Sequence, residues 1–369
     1  MKVLTHKKPL LEGLDLVKDA VSKHSALPIL KDVKITAEGD NLYLYTTNLT
    51  TGIKTRVKEA DIIEPGIALC DAMKLLSIVK ELPEAEVILT KEDNGHVRVE
   101  CENVSFKLVG LSEDEFPNEM TPPEQNAFSI GQEFFTALSK VRHAASKEES
   151  RYNINGIYFD KDIVATDGHR LSLTRDTNPL RNTLVPAEFV GTILRLRRNG
   201  NQNYRLSRSD STIFICSEDL IIHCRLIDGE FPDYEQVIPQ THEKTATMDR
   251  HKLYHAIKRI TLMSDKSNQI RFEFNGGRVL LTSANPDAGE AREELESHYE
   301  INSPEETAFA IGVAGKYILD VLEILEGDRV TFLMNDPDQP LRIEEKDSTH
   351  IIMPVRLIES SQQEERKAA

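Results

Sequence analysis

Apolar residues recur at three- and four-residue intervals in short stretches along the chain, each followed by β-rich runs, and this order of elements comes round three times. Leu10, Leu14, Val17 and Val21 form one stripe, Phe134, Leu138 and Val141 a second, and Leu253, Ile257 and Ile260 a third. Each predicts an amphipathic helix with one buried face. The second and third align without a gap, residues 127–137 on 246–256, matching small, apolar and aromatic positions. After each helix an apolar run ends at Asn or Asp, at 42–48, 163–167 and 279–285, with spacings of 119 and 118 residues. A second helix is predicted at 74–82, 189–196 and 317–325, and further strands follow it. At Asp93-Asn94-Gly95, the alternation of Val97 and Val99 with His96, Arg98 and Glu100 marks a strand leaving a tight turn.

Self-similarity at this period predicts three domains of one α+β design, each with two helices and an antiparallel sheet, at 1–123, 124–244 and 245–357. Pro122, Pro123 and residues 239–244 read as linkers, and the polar tail 358–369, without periodicity, is expected to be disordered. Composition adds limits. With 369 residues, 39% hydrophobic and 29% charged, the chain is long enough for a large buried core and has the make-up of a globular protein. The beginning lacks the apolar core of a signal peptide, and no stretch is long enough to span a membrane. Cys70, Cys101, Cys216 and Cys224 are scattered, which excludes zinc ribbons and disulfide scaffolds and fits a reduced, cytoplasmic setting.

The candidate chemistry is sparse. Gly312-Val313-Ala314-Gly315-Lys316 has a Gly-Lys pair but lacks the earlier glycine and the following Ser or Thr of a phosphate-cradling loop. The histidines show no zinc-site spacing, so neither a metal nor a cofactor is expected. Asp167 and His169 supply a rival reading, an enzyme acting on nucleic acid. Asp167, however, sits where the other copies carry Asn48 and Asn285, which makes it first a turn former. The bland reading of Thr166-Asp167-Gly168-His169-Arg170-Leu171 is a solvated turn. The functional one is the rim of a peptide-binding cleft, with Leu171 offering apolar surface and Gly168, His169 and Arg170 offering donors.

Charge needs its distribution as well as its sum. The formal charge of -16, from 45 Lys and Arg against 61 Asp and Glu, argues by itself against wrapping nucleic acid. Yet Lys18, Lys23 and His24, then Lys140, Arg142, His143 and Lys147, then Arg250, Lys252, Lys258 and Arg259 lie across the first helix of each copy, and Arg195, Arg197 and Arg198 across a second helix. If these helices share a surface, an acidic protein has one basic face, suited to phosphate contacts without base reading.

The chain resembles the β sliding clamps, processivity subunits of bacterial DNA polymerase III. The resemblance covers residues 1 to about 357 and rests on five motifs at family spacing. These are Leu27-Pro28-Ile29-Leu30; Arg151-Tyr152 with Asn155-Gly156; Ala165-Thr166-Asp167-Gly168-His169-Arg170-Leu171; Asp228-Gly229 with Phe231-Pro232-Asp233-Tyr234; and Met353-Pro354-Val355-Arg356-Leu357. It implies a head-to-tail homodimer, a ring of six similar domains with helices lining a hole for double-stranded DNA, and no catalysis. A partner-peptide cleft is implied at Arg151, Ile154, Thr166, Gly168, His169, Arg170, Leu171, Pro232, Val237, Ile351, Met353, Pro354, Val355, Arg356 and Leu357. Gln236 departs from the arginine of a familiar member. DNA contacts are implied at Lys23, His24, Lys74, Lys147, Arg151 and Tyr152, to which the charge pattern adds Arg195, Arg197 and Arg198. The implied dimer contact has Phe106 and Leu108 facing Leu262 and Met263, with Asp287, Glu290 and Glu293 opposite Lys74 and Arg98. The implied partners are the polymerase III catalytic subunit, the clamp loader, and other polymerases and repair proteins with clamp-binding motifs.

Overall fold

A computed structural model describes residues 1–22, 26–123, 127–148, 150–175, 178–196, 203–265, 268–301 and 308–356. Lys23, His24, Arg197, Arg198, Leu357 and the tail 358–369 lie outside the described residues, as does the side chain of Tyr152. The helices are α1 (Lys7–Val17), α2 (Ala72–Glu81), α3 (Gln132–Val141), α4 (Ala187–Leu196), α5 (Arg250–Ile260) and α6 (Gly315–Ile324).

The predicted stripes are the buried faces: Leu10, Leu14 and Val17 on α1, Phe134, Leu138 and Val141 on α3, and Leu253, Ile257 and Ile260 on α5. Val21 is the exception. A 3₁₀ turn at Lys18–Ala20 ends the helix before it, leaving Val21 buried in extended backbone. The second helices begin two residues earlier than predicted. The Asp71 side chain explains one start, accepting the N–H of Lys74 at 2.8 Å. At α6 the opening residue is a close-approach glycine: a Cβ on Gly315 would lie 2.6 Å from Ile270 Cδ1. The Gly315-Lys316 pair thus belongs to helix–strand packing. Arg250, expected on a basic surface, instead caps the C-terminal end of α6, donating to the carbonyls of Leu322 at 2.9 Å and Gly327 at 2.6 Å.

The chain forms two compact units, and they divide the middle repeat. Residues 1–132 and 195–227 make the first. It holds a five-stranded sheet, in spatial order Ala60–Glu64, Lys2–His6, Glu86–Lys91, Val97–Cys101 and Val104–Leu108. Its eight-stranded sheet runs Phe128–Ile130, Tyr204–Arg208, Thr212–Cys216, Leu220–Arg225, Thr51–Val57, Asn41–Thr47, Asp32–Glu38 and Gly66–Asp71. The second unit comprises 133–194 and 228 onward. Its nine-stranded sheet runs Thr183–Pro186, Gly156–Phe159, Ile163–Thr166, Arg170–Thr174, Ser348–Ile352, Leu341–Glu345, Arg329–Met334, Lys244–Asp249 and His298–Ile301. A four-stranded sheet runs Gly289–Glu296, Arg278–Asn285, Gln269–Asn275 and Ala308–Ala314. In this unit α5 and α6 pack on a core that includes Phe272, Phe274 and Phe332.

The division follows from strand pairing. Leu220–Arg225 of the middle repeat pairs with Thr51–Val57 of the first, and Arg170–Thr174 of the middle repeat pairs with Ser348–Ile352 of the third. The repeats are therefore joined by backbone hydrogen bonds across continuous sheets.

One buried carboxylate opposes folding. Asp32 is 6% exposed, faces Asp71 across the sheet, and has no partner for Oδ2. Burial, with the Asp71 charge second, pushes its pKa up to about 6. The folded state then holds the proton longer than the unfolded chain, so stability is lost as pH rises from the ordinary carboxylate range through about 6. At ~1.4 kcal/mol per pKa unit, Asp32→Asn is expected to stabilise the protein by up to about 3 kcal/mol at pH 8 and little at pH 4, read from urea midpoints at both pH values.

Candidate functional site

The residues expected at a cleft converge within the second unit. Its floor is the buried cluster Val164, Leu171, Leu173, Tyr234 and Ile351, with Tyr158, Phe231 and Ile238 packed against it. Tyr158 and Phe231 stack with centroids 4.8 Å apart. On one side runs the loop joining Ile163–Thr166 to Arg170–Thr174. Asp167 Oδ1 accepts the N–H groups of His169 and Arg170 at 2.9 and 3.0 Å, and Thr166 Oγ1 accepts that of Gly168 at 3.1 Å. The Asp thus folds a turn, as the repeat predicts. Gly168 has φ +87°, and a Cβ there would lie 2.6 Å from Arg151 Nη2, because the guanidinium packs on the loop and donates to the Asp167 carbonyl at 2.9 Å.

On the other side lies the C-terminal segment. Met353 N–H donates to the His169 carbonyl at 2.9 Å and Val355 N–H to that of Gly312 at 2.7 Å. This leaves Met353 38% exposed, Pro354 and Val355 half-buried, and Arg356 exposed. Val237, on the 3₁₀ turn Tyr234–Val237, is 46% exposed, and Pro232 is exposed nearby in the chain. Ile154 is buried. Gln236 donates to Asp233 at 2.7 Å.

Two expected roles change. Leu171 is 3% exposed and belongs to the floor, offering little surface of its own. Arg170 is equally buried, and its guanidinium is used internally. It donates to Asp167 Oδ2 at 3.0 Å, to Asp320 Oδ2 at 2.6 Å and to the His143 carbonyl, and lies over the Tyr317 ring. It is no rim donor.

Below the loop, Ser172 Oγ sits between two histidines, 3.1 Å from His143 Nε2 and 2.9 Å from His350 Nδ1, while His143 Nδ1 and His350 Nε2 are buried without partners. The single Ser172 proton lets one ring accept and the other donate, and burial keeps both rings neutral. Burial holds both pKa values down to about 3; Arg170 adds to the effect at His143, and His143 and Lys140 at His350. The unfolded chain takes up these protons first, so stability is full above about pH 6.5 and is lost as pH falls from there toward about 3. Replacing both residues by Gln is expected to flatten the slope of stability between pH 4 and 6.5, measured by urea unfolding. Sequence spacing contains no sign of this pair, which lies 207 positions apart.

The basic face is thinner than the sequence suggests. Lys140 is buried and bonds Asp347 at 2.8 Å; Arg195 bonds Asp19 at 2.9 and 2.6 Å; Lys18 pairs with Asp15; Arg259 pairs with Glu293. Arg142 donates to the Ala187 carbonyl at 3.3 Å. Acidic neighbours, distant in sequence in several cases, pair with all of these cations except Arg142. Of the described residues named for a basic face or for DNA contact, Lys74, Arg142, Lys147, Lys252 and Lys258 are exposed without an ion-pair partner, Lys258 lying over the Tyr254 ring.

At the free sheet edges, Phe106 is 39% exposed on Val104–Leu108, Leu262 is 81% and Met263 36% exposed beside the strands of the four-stranded sheet, and Asp287 and Glu290 are exposed. Leu108 is 8% exposed and belongs to the core. Arg98 is paired with Glu92, and Glu293 with Arg259, so neither is an unpaired charge awaiting a partner.

Three α+β repeats joined sheet to sheet by antiparallel strand pairing are the architecture of the sliding clamps, proteins that tether. The N-terminal, central and C-terminal domains of the DNA polymerase III beta subunit match residues 1–120, 130–233 and 235–356. The chain belongs to this family, the β sliding clamps: non-catalytic processivity factors of DNA replication. It is 29% identical to the beta sliding clamp of Pseudomonas aeruginosa and 30% identical to that of Caulobacter vibrioides, covering 97% of this chain and 100% of each relative. A sliding clamp of Bartonella birtlesii, solved bound to griselimycin, superposes with a TM-score of 0.91 at 25% identity, over 97% of this chain and 100% of that one.

Proposed function

We propose that two copies close head to tail into a ring around duplex DNA and that the cleft of each tethers the polymerase III catalytic subunit, the clamp loader, and other polymerases and repair proteins carrying clamp-binding motifs, in the cytoplasm. The supporting observation is a missing third junction. Thr51–Val57 and Arg170–Thr174 each pair with a closing strand of another repeat, and among the described residues Gly289–Glu296, the same strand of the third repeat, is an unpaired edge. Among the described residues Val104–Leu108, the closing strand of the first repeat, is an unpaired edge as well. A second copy that joins these edges completes the pattern, and Phe106 then meets Leu262 and Met263. Domain boundaries near 123 and 244 fit this scheme.

Inside such a ring, retention is topological, so weak phosphate contacts suffice. Lys74, Lys147 and Arg151 are the proposed described contacts, with Lys23, His24, Arg197, Arg198 and the Tyr152 side chain outside the described residues; Arg195 would have to leave Asp19. Loaded by a clamp loader with ATP, the protein is expected to stay on circular DNA at high salt and to leave when that DNA is linearised. Loss from the closed circle at the same rate would overturn the ring. An enzyme at Asp167 and His169 would instead show turnover abolished by His169→Ala.

A further inference from the structure

We propose that Asp320, on α6 behind the cleft, is a positioning residue for partner-peptide binding that acts through Arg170. This rests on the reading of the cleft as the peptide site. Asp167 divides its carboxylate: Oδ1 folds the loop by accepting from His169 and Arg170 N–H, and Oδ2 accepts from Arg170 Nε. The position of the loop is therefore set by where the guanidinium is held. Three groups hold it: Asp320 Oδ2 at 2.6 Å, the His143 carbonyl, and the Tyr317 ring, whose centroid lies 4.5 Å from Cζ. Among the described residues, Asp320 is the one carboxylate from outside the loop's own strand and turn that holds the guanidinium. The His169 carbonyl of this loop in turn carries Met353 N–H, so both walls of the cleft depend on the same anchor.

Without the carboxylate, Arg170 keeps Asp167 but loses its tie to α6, and the loop gains freedom that a bound peptide must remove. The Asp320 carboxylate is engaged by Arg170, and the combination with Arg170→Ala separates positioning from direct contact. Griselimycin is the probe, with affinity measured by calorimetry on the full-length protein. Asp320→Ala is expected to weaken binding about tenfold, equivalent to ~1.4 kcal/mol, and the isosteric Asp320→Asn about threefold, which keeps the test usable if the alanine variant folds poorly. In an Arg170→Ala background, Asp320→Ala is expected to add nothing. Unchanged affinity in both single variants overturns the proposal, and so does a full additional loss in the Arg170→Ala background, which would mean that Asp320 acts without Arg170. Wild-type protein that is folded yet does not bind overturns the cleft reading, and this inference with it.

Discussion

Gly168→Val is expected to weaken griselimycin or partner-peptide binding by at least about 30-fold, equivalent to ~2 kcal/mol, while far-UV spectra stay close to wild type and the melting temperature falls by only a few degrees. Two effects act together. At φ +87° a β-branched side chain pays a backbone cost of ~1–3 kcal/mol. Its Cβ would also lie 2.6 Å from Arg151 Nη2 and 3.3 Å from Cζ, so the guanidinium must leave the loop and the Asp167 carbonyl it holds. Gly168 is exposed, which confines the damage to the rim. Affinity within threefold of wild type would remove this loop from the binding site.

The second large effect lies at the open edges. Phe106→Asp is expected to raise the dimer dissociation constant at least about 100-fold, or ~2.7 kcal/mol, seen as a shift toward monomer in sedimentation velocity across a concentration series. In the proposed dimer the substitution deletes an exposed aromatic anchor and sets a carboxylate against Leu262 and Met263. It would also face a strand carrying Glu290 and Glu296, besides Glu293 and Glu294, which pair with Arg259 and Arg278, so repulsion adds to desolvation. Leu262→Asp should do the same from the other side, and either variant should fail to persist on circular DNA. A variant that dimerises as tightly as wild type would exclude this edge.

Local features were legible in the sequence. The helix stripes, the turn at Gly95 with φ +83° and the Asp167 turn follow from periodicity and turn chemistry acting over a few residues. Residues 166–171 and 351–355 lie together because Arg170–Thr174 and Ser348–Ile352 are paired strands. What stayed hidden depends on distant partners. Nothing near Arg170 shows that Asp320 will claim its guanidinium, nothing near Lys140 points to Asp347, and Arg195 looks like a surface cation until Asp19 is seen beside it. A count of basic residues on helices therefore overstated the available positive charge. The division of the middle repeat was hidden for the same reason, since strand partners are chosen across the fold.

The turn at Asp167 has a twin. Thr47 Oγ1 accepts the N–H of Leu49 at 3.1 Å, and Asn48 Oδ1 accepts those of Thr50 and Thr51 at 3.0 and 2.7 Å, the same frame one repeat earlier. There the left-handed position, φ +73°, is filled by leucine, so no guanidinium can lie on it as Arg151 lies on Gly168. The first two copies share the turn, and the guanidinium contact on it belongs to the second; on the proposed reading the peptide site is built in that copy. In a closed dimer that means two receptors held on one DNA. A partner that lets go of one is still at high effective concentration near the other, so even brief individual contacts can sustain long residence, and two different partners can share a ring without competing for a single site.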